Sequence, residues 1–142
     1  MPKHAAKVIK KRLAWLFPAV VLLVITWACL LPPEDFPSDS WFSRIPHADK
    51  LVHFLFYAGF CLSFRWALYI HGRDTVPWRA LVFLFAAAYG GGIEWLQGEF
   101  FRRGCSLADE AANALGALAG TALFPSRLLG IVRRTLFGTT EP

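Results

Sequence analysis

The sequence predicts an all-α fold: a four-helix transmembrane bundle with N- and C-termini cytoplasmic and short outer connectors. Three observations carry this expectation. Hydrophobic residues make up 56% of the chain and charged residues only 18%, against about 25% charged in ordinary soluble domains. The mean hydropathy is +0.42 over 142 residues, and a chain this short cannot hide so much apolar surface in its own interior. The apolar residues also gather into four runs, and Lys and Arg concentrate in alternate connectors between them.

The first run is "LAWLFPAVVLLVITWACLL", residues 13–31. It carries no charge and is long enough to cross a hydrocarbon core of about 30 Å. "KVIKKR" precedes it and "PP" follows it. A cleaved signal peptide needs a shorter core and a small-residue cleavage site, so an uncleaved span is expected. A lipoprotein signal at Cys29 is disfavoured, because bulky Trp27 stands just before Ala28. The second span is 50–70, apolar but bearing His53 and Arg65. The third is 79–98, with Glu94 near its end. The fourth, 107–124, is rich in small residues and needs the other three as partners. Residues 1–12 form a basic N-terminus and 125–142 a basic tail. In that tail, "RLLGIVRRTLFG" has the pattern of an amphipathic helix on a membrane surface. Three cysteines, an odd number, define no complete disulfide framework.

Charge placement gives orientation. Lys3, Lys7, Lys10, Lys11, Arg12, Arg73, Arg79, Arg127, Arg133 and Arg134 fall on one side of a four-span arrangement. Arg44, Lys50, Arg102 and Arg103 fall on the other. The bias of Lys and Arg toward cytoplasmic loops puts both termini inside. Arg65 lies within a span, toward the basic side, where it is expected to snorkel. The sequence pI of about 9.5 then reflects orientation and contact with anionic lipid rather than nucleic acid. Trp41, Trp66, Trp78 and Trp95 fall near span ends, as interfacial anchors do.

With this topology the outer ends of spans two to four meet. Asp49, His53 and Tyr57 are spaced i, i+4, i+8, on one helix face. Glu94 and Gln97 share another. Ser106, Asp109, Asn113, Gly116 and Gly120 step by three and four along a third. Ionisable groups below a membrane surface are costly unless paired or hydrated, so they mark a candidate site. Plainer readings stand beside this. Ser106 and Asp109 fit a capping box. Gly116 and Gly120 form a G-x-x-x-G packing pair. Tyr57 fits an interfacial anchor, and Arg102 with Arg103 a solvated turn. Ion pairs such as Lys50 with Glu94, or Arg103 with Asp109, would merely lock the helices.

"DKLVHFLFYAGF" (49–60) followed by "IEWLQGEFFRRGCSLADEAANALGALAG" (93–120) resembles the VanZ-like family of bacterial membrane proteins. Asp49, Lys50, His53, Phe54 and Tyr57 match its D-K-x-x-H-F-x-x-Y pattern. Glu94 and Gln97 match E-x-x-Q. An arginine at 102 or 103, with Arg103 favoured, precedes Ser106, Asp109, Asn113, Gly116 and Gly120, which match S-x-x-D-x-x-x-N-x-x-G-x-x-x-G. The resemblance covers about half the chain. The turn before the arginine departs from the family, reading "FFRRGCS" where a Pro or Gly is common. The resemblance implies a small protein of the bacterial inner membrane, with a family link to glycopeptide (teicoplanin) resistance and no settled reaction.

The residues leave three functions open. One is binding or processing of an anionic lipid head group or lipid-linked cell-envelope precursor. Asp49, Lys50, His53, Tyr57, Glu94, Gln97, Arg103, Ser106, Asp109 and Asn113 would frame the ligand, with His53, Glu94 and Asp109 the candidates for acid–base work. The second is a metal-dependent enzyme built on His53, Glu94 and Asp109. No local metal motif supports it, so no metal or cofactor is expected. The third is a non-enzymatic membrane protein whose polar cluster locks the bundle. A transporter fits less well, because the polar residues sit at one end rather than at the midplane. The oligomeric state is open.

Overall fold

The computed structural model describes residues 3–31, 45–100 and 106–137. Trp41, Arg44, Arg102, Arg103 and Cys105 lie outside the described residues. All regular structure among the described residues is helical: α1 (Lys3–Leu30), α2 (Ala48–Ile70), α3 (Val76–Phe100), α4 (Leu107–Leu118), a π-helical segment (Ala119–Leu123) and α5 (Ser126–Phe137). Three helices are long and apolar enough to cross a membrane, Lys11–Leu30, Ala48–Ile70 and Val76–Phe100. A fourth crossing is reached if α4, its π segment and α5 are taken as one broken span bent by 74°.

The large apolar side chains point outward. Leu16, Phe17, Leu23 and Trp27 on α1, Leu55 on α2, and Leu81 and Leu84 on α3 are all exposed. Exposed apolar surface of this extent marks an interaction surface rather than a solvated one. Inside the bundle, Ile25 and Cys29 of α1 meet Tyr57, Phe60 and Cys61 of α2 and Val82, Ala86 and Ile93 of α3. Helix α2 is central and packs against each of the others.

Helices α2 and α4 approach closely because α4 presents glycine. A Cβ on Gly116 would lie 2.2 Å from the Phe54 carbonyl oxygen, and one on Gly120 would lie 2.5 Å from that of Ala58. The two glycines, on α4 and the π segment that continues it, step by four as Phe54 and Ala58 do along α2, so one groove receives one ridge. The expected packing role of this pair is what the structure displays.

Two ends explain themselves. Helix α2 stops in a Schellman motif: Gly72 takes φ 69°, its N–H donates to Tyr69 O, and Arg73 N–H donates to Leu68 O. Helix α4 begins at Ser106, whose hydroxyl accepts from Asp109 N–H at 3.2 Å. At the other end of α4 the helical run closes at Leu123, close to the expected end of the span 107–124, and its last turn is π-helical. The backbone passes into the π segment, Pro125 follows it, and the chain turns into α5. Phe124 is extended, as a residue before proline prefers to be.

Arg65 accounts for that turn. Rather than snorkelling it is fully buried. Its Nη1 donates to Gly120 O (3.2 Å) and Phe124 O (2.8 Å), carbonyls at the π segment. Its Nε and Nη2 donate to the two oxygens of Asp74, each at 3.1 Å. Arg79 completes the cluster with bonds to the same carboxylate at 2.9 and 3.0 Å. The Ser126 hydroxyl, opening α5, accepts from Arg79 at 2.7 Å and donates to Asp74 at 3.0 Å. One carboxylate thus ties the α2–α3 turn to the π segment and α5. The sequence spreads these four residues from position 65 to position 126, so only the folded turn brings them together.

Burial alone would raise the Asp74 carboxyl, but hydrogen bonds from Arg65, Arg79 and Ser126 outweigh it and hold the group below its ordinary value of 3.8. A depressed carboxyl stabilises the fold fully above its unfolded value and loses that contribution as pH falls through the folded value. The melting temperature in detergent is therefore expected to drop below about pH 4. In Asp74→Asn the acid-side slope should shrink, from a lower melting temperature at neutral pH. An unchanged slope in the variant would show that the acid loss arises elsewhere.

Candidate functional site

The polar residues of α2, α3 and α4 meet at the end of the bundle remote from Arg65. Their positions follow from helix register. On α2, Lys50 and His53 are one turn apart and turn toward α4. Lys50 Nζ bonds Asp109 Oδ1 at 2.9 Å and Asp49 Oδ2 at 2.7 Å. His53 Nδ1 lies 2.9 Å from Asn113 Oδ1 and 3.8 Å from Glu94 Oε1 on α3. His53, Glu94 and Asp109 each place a ligating atom within 4.8 Å of the others. Three helices therefore converge on one spot.

The cap of α4 shows how the carboxylates are divided. In a full capping box the N3 acid would reach back to the cap's own N–H. Here the Ser106 N–H donates instead to Glu94 Oε2 of α3 at 3.1 Å, and the Asp109 carboxylate goes to Lys50. The capping reading of Ser106 is correct. For Asp109 it holds for the backbone N–H alone. The expected ion pair of Lys50 with Glu94 is corrected to Lys50 with Asp109.

Glu94 is 2% exposed. Its Oε1 is buried and makes no hydrogen bond among the described residues. The Tyr57 hydroxyl is in the same condition, and the residue is 1% exposed. Tyr57 is thus not an interfacial anchor but a core residue one turn deeper than His53. Gln97 lies elsewhere than expected. Its Nε2 donates to Cys29 O, tying α3 to α1 instead of facing the cluster. Asp49 is exposed and sits at the rim through its bond to Lys50.

Glu110 is a member that sequence reasoning missed. Asn113 Nδ2 donates to its Oε2 at 3.3 Å. The signal was present: Ser106, Glu110 and Asn113 are spaced by four and three, as good a face as the one through Asp109. Gly90 makes the room. A Cβ there would lie 2.8 Å from Glu110 Oε2 and 3.0 Å from Asn113 Nδ2. The orientation of Asn113 is thereby fixed. Its amide nitrogen faces a carboxylate, so only its carbonyl remains for His53. The carbonyl accepts, so Nδ1 of a neutral His53 carries the hydrogen and Nε2 keeps a lone pair.

In formal charge the described cluster holds four carboxylates, Asp49, Glu94, Asp109 and Glu110, and one ammonium, Lys50. Arg103, the favoured arginine, lies outside the described residues, as does Arg102. No family model, curated protein or solved structure matches the chain.

Proposed function

We propose that the chain is a four-span protein of the bacterial cytoplasmic membrane, VanZ-like in its motifs, with both termini cytoplasmic. In this reading the cluster at the outward ends of α2, α3 and α4 binds the phosphate-bearing head group of a lipid or lipid-linked cell-envelope precursor. The lipid-compatible exterior supports the first statement, together with the uneven placement of Lys and Arg. For the second, one observation carries most weight: Glu94 Oε1 and Tyr57 OH are buried without a partner among the described residues, the hydroxyl able to donate to a phosphate oxygen and the carboxylate able to take a donor or cation bound with it. A buried polar atom left unsatisfied costs about 1–3 kcal/mol, and more if charged. A cluster that served only to join helices would gain by satisfying them. Retained at that cost, they fit a ligand that completes the set.

One other reading has specific support. Lys50–Asp109 and His53–Asn113 join α2 to α4, and Glu94–Ser106 joins α3 to α4. These bonds would also suit a non-enzymatic bundle lock. Substitution separates the two. His53→Ala, Asp109→Asn and Arg103→Ala are expected to abolish lipid co-purification, read by native mass spectrometry, while abundance and melting temperature fall modestly. If melting collapses and the surviving folded protein keeps its lipid, the cluster is a lock.

A further inference from the structure

We propose that His53, Glu94 and Asp109 hold a divalent metal ion of the Mn2+ or Zn2+ type, and that this ion supplies the positive charge for a phosphate head group. The second half rests on the head-group reading above; the ion site stands without it.

The donor set is one imidazole and two carboxylates, a combination suited to divalent first-row metals. The three ligating atoms lie within 4.8 Å of one another. A tetrahedral shell with bonds of about 2.0 Å separates ligands by roughly 3.3 Å. The site would thus contract by about 1.5 Å around an ion, a distance within reach of side-chain rotation on three fixed helices.

Independent of this grouping, Glu94 offers an oxygen that no other described residue hydrogen-bonds. Its Oε2 is held by the Ser106 N–H at 3.1 Å, which leaves Oε1 buried, unpartnered and turned toward His53 at 3.8 Å. His53 is held in the same manner, whereas Asp109 is shared with a competing cation. Asn113 takes the Nδ1 hydrogen of His53 and leaves Nε2 as a donor pair. Lys50 holds Asp109 by Oδ1 and leaves Oδ2. In metal sites an outer partner fixes the tautomer or rotamer of a ligand and leaves another atom free for the ion.

The charge of the described residues favours such an ion beside a phosphate. Among them, four carboxylates surround one ammonium and repel an anion. A divalent ion reverses that locally. Three protein ligands also leave coordination positions open for phosphate oxygens.

Lys50 gives the proposal its sharpest test. As a competing cation on Asp109 it opposes the metal, so Lys50→Met should bind the ion more tightly. A plain ion-pair lock has no reason to gain anything from that change.

The full-length protein in detergent, stripped with chelator, is titrated with MnCl2 and ZnCl2 by calorimetry, with metal analysis after desalting. One ion per chain is expected, with a rise in melting temperature on binding. Glu94→Gln and His53→Ala should lose the ion, Asn113→Ala should weaken it about 10- to 100-fold, and Asp49→Asn should keep it. Absence of both a stoichiometric ion and a melting shift in the unmodified protein overturns the proposal, whatever the variants do. So does binding that survives Glu94→Gln and His53→Ala in folded protein. Vesicles of phosphatidylglycerol or phosphatidylcholine, with Mn2+ or with chelator, separate the two halves. Ion binding without preference for the anionic lipid retains the metal site and removes the head-group role. Preference that persists in chelator retains the head group and removes the ion's role in binding it.

Discussion

Arg65→Met is expected to destabilise the protein by about 3–5 kcal/mol, the cost of removing one partner from a buried ion pair. Arg65 is fully buried and spends four hydrogen bonds on two targets: the Asp74 carboxylate and the carbonyls of Gly120 and Phe124. Methionine fills much of the volume but donates nothing. Asp74 then keeps Arg79 and Ser126, while the two carbonyls lose a donor. The measurement is chemical or thermal unfolding in detergent micelles. Adding Asp74→Asn to Arg65→Met should cost less than the sum of the two single changes, because the carboxylate no longer lacks its main partner. A loss below 1 kcal/mol for Arg65→Met would mean that the π segment is satisfied in some other way.

Gly116→Ala is the second large effect. A Cβ would stand 2.2 Å from the Phe54 carbonyl oxygen, which belongs to backbone and cannot rotate aside. Helices α2 and α4 must move apart, at the upper end of the about 1–3 kcal/mol that overpacking costs. The consequence extends beyond stability. Phe54 follows His53, so the displacement also separates His53 from Asn113. Loss of ligand binding should accompany the loss of melting temperature. Gly59→Ala on α2 is the internal control, since a Cβ there meets nothing within 4 Å. It should be neutral or gain up to about 1 kcal/mol of helix propensity. Equal damage from both substitutions would rule out close approach as the cause.

The contrast between these positions bears on what could be read from residue order. The apolar runs gave α1, α2 and α3 because periodic hydrophobicity and length are local properties. Ser106 was legible as a cap, and Gly116 with Gly120 as a packing pair, for the same reason. The convergence of His53, Glu94, Asp109 and Asn113 followed from counting helix faces. Pairing choices did not follow. Whether Lys50 meets Glu94 or Asp109 depends on the rotation of α3 and α4 about their axes, to which no local pattern points. Glu110 shares a face with Ser106 as well as Asp109 does, so spacing alone could not choose between them. Arg65 illustrates a different gap. An arginine in an apolar run can snorkel or pair internally, and its partner Asp74 becomes visible only once the α2–α3 turn is closed. The π segment has no signature in composition, and Arg65 donates to the carbonyls of Gly120 within it and Phe124 just after it.

That π segment carries one more implication. Helix α4 and the segment have 12 and 5 residues, roughly 25 Å of rise, before the chain bends by 74°. Along α2, His53 and Arg65 bracket a stretch of only about 18 Å. Placed across a hydrocarbon layer of about 30 Å, both lengths fall short. Tilting relieves a helix that is too long but makes a short one shorter. A span that ends at the bend is met by thinner lipid around α4, by flanking residues that reach the surface or by oligomerisation, each at a fraction of a kcal/mol per Å. Such a protein would gather in thin or short-chain bilayers, and it would draw the head groups of the opposing leaflets toward its two polar ends.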